Sequence, residues 1–199
     1  MGVAILTDAS PLTAAGIKSL DRIEQNLLRR EIMERSHSFV GSSAALEELL
    51  DDFSHFLKFS ERPQLRVAIR DLEQVEELHR KLVRDADSLR DYLAENGKSL
   101  RQEGLGHLLE LRELTDNGFR RFNEALGDYI AARQELLHWT EEHFGEIVAG
   151  NAAAVRQYDK LYKRCEQVME KEYDRYLDRI QFVNVFRQDH PELAEYLAK

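Results

Sequence analysis

The sequence predicts an all-α protein, an elongated antiparallel bundle or coiled coil of about four long helices with a short helix at the C-terminus. Apolar residues recur at steps of three and four over most of the chain, which is the spacing of one helical face. Only three of 199 residues are proline, charged residues make up 33%, and the mean hydropathy is −0.53. This composition is typical of helices that bury narrow apolar faces. We see no recurring alternation of apolar and polar residues that would indicate strands.

The strongest helical signal lies in two segments joined at Gly150 and Asn151. Ser99 and Gln102 have the spacing of a capping box, in which each side chain bonds a free N–H at the start of a helix. Gly150 is the expected C-terminal cap of that helix, and Asn151 the N-terminal cap of the next. The apolar face of the second helix is predicted to carry Val155, Tyr158, Tyr162, Cys165, Met169, Tyr173, Tyr176, Ile180, Val183 and Phe186.

The remaining boundaries follow from proline, glycine and serine. Pro63 is tolerated only in the first turn of a helix and marks a helix start, whereas Gly97 follows a helix end. The serine-rich stretch 36–43 is expected to kink a continuous helix, and Pro191 starts a short terminal one. The predicted elements of the chain are a flexible arm over 1–12 and, within one domain over 13–199, helices over about 13–59, 60–95, 99–149, 151–187 and 190–198. The short turns between the long helices make them antiparallel neighbours.

The two helices joined at Gly150 differ in charge. Residues 99–150 contain ten acidic and five basic residues, net −5, and residues 151–187 contain six acidic and eight basic residues, net +2. The acidic side of the first helix is predicted to carry Glu103, Glu110, Glu124, Asp128, Glu135, Glu142 and Glu146. The basic side of the second is predicted to carry Arg156, Lys160, Lys163, Arg164, Lys171 and Arg175. Stripes of opposite charge on antiparallel neighbours would favour this pairing over others.

The total charge and the termini narrow the classes of function. A formal net charge of −9 disfavours sequence-independent binding to nucleic acid, which needs a dense basic surface. No apolar run reaches the roughly 18–20 residues of a membrane span, and no basic region precedes the apolar residues near the N-terminus. We therefore expect a cytoplasmic protein.

The single cysteine, Cys165, falls on an apolar face and is expected to be a buried structural thiol.

Three histidines follow a glutamate by three residues, a spacing that carboxylate-bridged di-iron bundles use. Only Glu76 and His79 lie on or beside a predicted apolar face, between Leu72 and Leu82. They are the candidate metal ligands, and a metal-binding four-helix bundle enzyme is one hypothesis. We nevertheless expect no metal or cofactor, with His79 a half-buried histidine bonded to a neighbouring side chain. No Gly-rich phosphate loop or nucleophile motif indicates another enzyme class.

The favoured hypothesis is a non-enzymatic helical interaction protein, a scaffold, adaptor or chaperone-like module that forms homo-oligomers or binds other proteins. Long thin bundles bury less surface per residue than compact ones, so apolar faces remain for a partner. The apolar arm residues Val3, Ile5 and Leu6 could contact another copy. The strongly apolar helix end that we predict as a partner surface consists of Phe53, Phe56, Leu57 and Phe59.

The alternative hypothesis is binding at a membrane surface. The predicted outline resembles that of BAR-type domains, in which long kinked antiparallel helices dimerise into a curved rod. The resemblance is one of architecture, since no motif carries it. It implies contact with anionic lipids through the basic side of the helix over 151–187.

Overall fold

Four long helices make up most of the protein, whose computed structural model describes residues 12–52 and 61–198, with side chains over 22–50 and 61–198. The α-helices are α1 (Leu12–Asp52), α2 (Arg62–Glu95), α3 (Gly97–Gln102), α4 (Leu111–Glu113), α5 (Arg120–Val148) and α6 (Ala152–Asp189). Two 3-10 helices cover Gly106–Glu110 and Pro191–Leu197, and a π-helical segment covers Leu114–Phe119. No strand occurs over these described ranges, so the predicted all-α bundle of four long helices and a short terminal one is confirmed.

The long helices run up, down, up and down. α1 packs on α2, α2 on α5 and α5 on α6, whereas α1 and α6 approach each other less closely. The salt bridges Arg164–Glu135 and Lys171–Asp128 show that α5 and α6 are antiparallel, because the later residue of one helix meets the earlier residue of the other. The C-terminal 3-10 helix folds back onto α1, where the ring nitrogen Nε2 of His37 lies 2.8 Å from a backbone carbonyl oxygen.

One apolar core runs along the inward faces of these helices. Its fully buried leucines occur at helical spacing on α2 and α5, as the sequence pattern predicts. Each buried leucine contributes on the order of 1.5–3 kcal/mol relative to an exposed one. The core residues with no exposed surface include Ile32, Leu65, Val75, Leu82, Leu93, Leu100, Leu105, Leu108, Leu111, Leu126 and Leu136.

The turn between α5 and α6 has the predicted caps. Gly150 adopts a φ of +74°, a left-handed conformation that favours glycine. Its N–H donates to the carbonyl of Ile147, and the N–H of Asn151 donates to that of Glu146, which is the Schellman pattern. The Asn151 side chain in turn accepts from the N–H groups of Ala153 and Ala154, at 3.0 and 3.3 Å.

The predicted helix over 99–149 differs most from the structure. α3 already begins at Gly97, so Ser99 lies inside the helix and the capping box is not formed. The helix ends at Gln102, two residues before Gly104, whose φ is +71°, and the N–H of Leu105 donates to the carbonyl of Leu100. The chain then turns back through short helical pieces before α5 begins. Buried leucines on these pieces cover this end of the bundle.

Helix α1 continues without a break through 36–43, as predicted, and is described as far as Asp52. The remainder of the predicted 13–59 helix lies outside the described residues, as do residues 1–11 of the predicted arm. Two of the serines in that stretch bind neighbouring helices, since Ser42 donates to Asp85 of α2 at 2.5 Å and Ser43 contacts Arg179 of α6. α2 begins one residue before Pro63, as predicted.

The π segment meets α6 at Gly118. A Cβ added to Gly118 would lie 2.7 Å from a ring carbon of Phe182, too close for any side chain unless the ring moves. By contrast, a Cβ on Gly145 of α5 would meet nothing within 4 Å. The absence of a side chain at 118 therefore sets how closely α6 packs against the π segment.

We predict that Gly118→Ala lowers the free energy of unfolding by about 1–3 kcal/mol, because the methyl group overpacks the contact with Phe182. Gly145→Ala, the matched control in open space, should raise it by about 0.5–1 kcal/mol, since alanine favours the helix. Urea unfolding followed by circular dichroism measures both. Equal effects of the two substitutions would contradict the close contact.

Candidate functional site

A groove of about 380 Å³ lies between α1 and α6, the two helices that approach least closely. Its walls are largely apolar, with Phe39, Val40 and Ala44 on α1 and Ile180 and Val183 on α6. The start of the π segment and the C-terminal 3-10 helix close one end. The groove is therefore open to solvent on one side and apolar within, a form suited to an apolar side chain or helix face.

A buried arginine holds the two sides of the groove together. Arg179 of α6 is 8% exposed, and its Nη1 donates to Oε1 of Glu47 of α1 at 2.7 Å. Its Nη2 donates to the hydroxyl of Ser43, which itself donates to Oε1 of Glu47. The guanidinium also lies 5.1 Å from the ring centroid of Phe122 on α5. This arginine thus connects three of the four long helices.

Three exposed apolar side chains continue from the groove along α6. Tyr173, Leu177 and Ile180 are 58%, 46% and 37% exposed, and their spacing of four and three places them on one helical face. We call these three residues the α6 row. Ile180 also lines the groove, so row and groove form one continuous surface. Single exposed apolar residues are common, but a row at this spacing is the pattern of a helix that packs on another helix.

The row corrects part of the predicted apolar face of α6. Ile180 was expected inside, and Tyr173 in the core or at an interface between copies, yet both are exposed in the single chain, whereas Arg179 is buried beside them. The other tyrosines pack as predicted. Tyr158 and Tyr162 are half-buried with ring centroids 6.1 Å apart, and Tyr176 lies 6.0 Å from the ring of Phe122.

The predicted charged stripes of α5 and α6 meet at two points. Arg164 binds Glu135 at 2.5 Å and Lys171 binds Asp128 at 3.2 Å, which confirms the pairing of opposite charges for these residues. Arg175 instead pairs with Asp178 of its own helix at 2.8 Å. These three cations of the predicted partner surface are therefore occupied by carboxylates within the protein.

The other three cations of that surface lie near the start of α6. Arg156, Lys160 and Lys163 are exposed, and none forms an ion pair with a described residue. The remaining predicted partner residues, Phe53, Phe56, Leu57 and Phe59, lie outside the described part of the chain, as do Val3, Ile5 and Leu6 of the arm.

The candidate metal ligands are bound to protein groups. His79 has the predicted half-buried position, with Nε2 2.5 Å from Oδ1 of Asn123, and burial lowers its pKa. Glu76 accepts from Gln134 at 2.8 Å and pairs with Arg80 at 3.2 Å. Over the described residues, no group of three or more His, Cys, Asp or Glu side chains is arranged to hold a metal ion.

Two ionisable side chains of α6 lie towards the core. Cys165 is fully buried, as predicted, and burial raises the pKa of its thiol to about 11. Burial also raises the pKa of Glu172 to about 7. A thiol with so high a pKa carries little thiolate at neutral pH and is a poor nucleophile.

Sequence reasoning missed Arg179, Ser43 and Glu47, which shape the groove. The available signal was a charged residue at an inward position of α6, one step from the apolar Ile180. Because apolar residues alone define the periodic face of a helix in the sequence, Ile180 was expected on the inside.

Compared with protein-family models, curated protein sequences and solved structures, the chain matches none of them. None of the described helices is long and apolar enough to cross a membrane.

We predict that Glu172→Gln stabilises the protein at pH 8 by roughly 2 kcal/mol but changes little at pH 5. The folded-state pKa of about 7 lies above the ordinary 4.5, so the wild-type protein loses stability as the pH rises through this interval. The amide cannot ionise and avoids that loss. The expected gain is smaller than the whole shift implies, since the side chain is partly exposed.

Urea unfolding at both pH values measures this effect, with Glu170→Gln, an exposed neighbour on the same helix, as the control. A gain at pH 8 that is no larger for Glu172→Gln than for the control would contradict a raised pKa of the half-buried Glu172 carboxyl.

Proposed function

We propose that this protein is a non-enzymatic interaction module of the scaffold or adaptor type, which binds protein partners through the α6 row and the adjoining groove. The observation that carries the proposal is the exposure of Tyr173, Leu177 and Ile180 on one face of a long helix. The polar groups at this surface support it as well, because the buried Arg179 and Ser43 bind each other and the half-exposed Glu47.

The energetics favour a docking surface over a chance exposure. Burying a side chain of this kind against a partner contributes on the order of 1.5–3 kcal/mol, so three neighbours on one face can supply much of a micromolar affinity. An apolar surface rimmed by polar residues is the usual form of a protein-binding site.

The groove gives this surface a shape as well as an apolar character. The Arg179–Glu47 contact joins its two walls, so the spacing of α1 and α6 is set before any partner arrives. A preformed groove loses less conformational entropy when a partner binds than a flexible one does. A partner helix could then place one apolar residue between the walls while its remaining apolar face covers the α6 row.

We predict that Leu177→Asp weakens partner binding through this surface at least tenfold. Tagged wild-type protein would be used to capture a partner, which is then purified. The affinity of the purified partner is then measured for the wild type and for each variant. Val67→Asp is the matched control, because Val67 on α2 is 45% exposed and Leu177 46%. The expected partner rebinds the wild type and the Val67 variant with equal affinity and the Leu177 variant at least tenfold more weakly, since a charge there opposes burial.

Both variants should melt close to the wild-type temperature, since both sites are on the surface. A purified partner that binds all three proteins equally would show that the α6 row is not the docking surface.

A second candidate function, contact with an anionic membrane surface, is favoured by the exposed cations Arg156, Lys160 and Lys163 at the start of α6. Juxtaposed cations of this kind contribute about 1 kcal/mol each near an anionic bilayer. The support is limited to this end of the helix, because Arg164 and Lys171 are paired with carboxylates of α5.

If the protein acts at membranes, it should sediment with anionic liposomes at low salt, and Lys160→Glu with Lys163→Glu should abolish this. The matched control is Lys171→Gln, which removes a cation already paired with Asp128 and should leave sedimentation unchanged. No sedimentation of the wild-type protein would remove the membrane hypothesis.

A further inference from the structure

The α6 row lies at the centre of a longer face whose two ends differ in charge. One and two turns before Tyr173, the same face carries Glu170 and Glu166, and two turns after Ile180 it carries Arg187. With Asn184 between Ile180 and Arg187, these residues follow one another at steps of four and three, so they form a single line along the helix. The line is acidic at its beginning, apolar in the middle and basic at its end.

The charges at the two ends are available for contacts outside the chain. Glu170 and Arg187 are exposed and Glu166 is half-buried. The carboxylate of Glu166 accepts a hydrogen bond from Tyr162, and Arg187 donates to the carbonyl of Leu197 at 3.4 Å. Neither Glu166 nor Arg187 forms an ion pair with a described residue. This differs from Arg164 and Lys171 on the α5 side of the same helix, which are paired.

Such a line is complementary to itself when reversed. If two copies of α6 meet antiparallel about a two-fold axis near residues 176 and 177, Tyr173 faces Ile180 of the partner subunit. In the same register Glu166 faces Arg187 of the partner subunit, twice by symmetry. Glu170 then faces the region of Asn184, where α6 carries no acid, so the register brings no like charges together.

We propose that a second copy of this chain occupies the α6 row, with the two α6 helices antiparallel and the Glu166–Arg187 pairs fixing their register. The proposal rests on the proposed function, since it names the partner of the same surface. The apolar row supplies the attraction, and the charged ends exclude the parallel arrangement, which would place Glu166 against Glu166 and Arg187 against Arg187.

The expected affinity follows from the length of the contact. The stretch from 166 to 187 spans about 33 Å of helix. Stable interfaces bury about 1,200–2,000 Å², and a pair of helices in contact over this length reaches the lower end of that range. The dimer should therefore be reversible, with a Kd in the micromolar range.

Sedimentation equilibrium of the full chain between about 1 and 100 μM tests whether a second copy covers the α6 row, since this range brackets the expected Kd. We expect the mass to rise from one chain to two. Leu177→Asp should raise the Kd at least tenfold, and Val67→Asp should leave it unchanged, because it alters an equally exposed residue on another helix. Melting temperatures of both variants show that they remain folded.

A charge exchange tests the register. Glu166→Arg or Arg187→Glu alone should weaken the dimer about fivefold to tenfold, since each change creates two like-charge contacts by symmetry. The double variant restores opposite charges at both contacts and should return the Kd to within about threefold of wild type. A double variant weaker than either single variant would overturn this register.

A single-chain mass at about 100 μM would overturn the proposal, as would a dimer that Leu177→Asp leaves intact. If the wild-type protein is monomeric but a purified partner still loses affinity for Leu177→Asp, the second copy is refuted as the occupant while the proposed function stands. If Leu177→Asp affects neither, the proposed function fails as well.

Discussion

The buried guanidinium of Arg179 is the contact on which the arrangement of the bundle depends. Removing a charge from water costs several kcal/mol, so it must be offset by a paired carboxylate and by further hydrogen bonds. Glu47 of α1 supplies the carboxylate and Ser43 of α1 a further hydrogen bond. Both contacts form only when α1 has one particular axial position relative to α6. Because the polar contact fixes the register of two helices whose backbones stay apart, it also leaves the groove open between them.

Local chemistry made the ends of several helices predictable. Gly150 and Asn151 act through their own backbone and side chain, so their roles follow from neighbours within five residues. Pro63 marks its helix start for the same reason. The long apolar faces of α2 and α5 were also predictable. Their leucines recur at helical spacing, so they are buried together only when that face of the helix packs against another helix.

Contacts between helices were not predictable in the same way. Whether Arg179 or Ile180 turns inward depends on Glu47, which is 132 residues away in the chain. α3 ends at Gln102, within the capping-box pattern that predicted a helix start, and the π segment forms where Gly118 admits the ring of Phe182. Three cations of the predicted partner surface pair with carboxylates within the protein, and Tyr173 and Ile180, which were assigned to the apolar face of α6, are exposed.

The tight turn at Gly150 has a consequence for the order in which the molecule assembles. The α5–α6 pairs join residues near in sequence, such as Arg164 and Glu135, which are 29 apart, whereas the Ser43–Arg179 contact closes a loop of 136. Short loops lose less chain entropy on closing and form faster. We therefore expect the α5–α6 hairpin to form early in folding and the α1–α6 contact to close last.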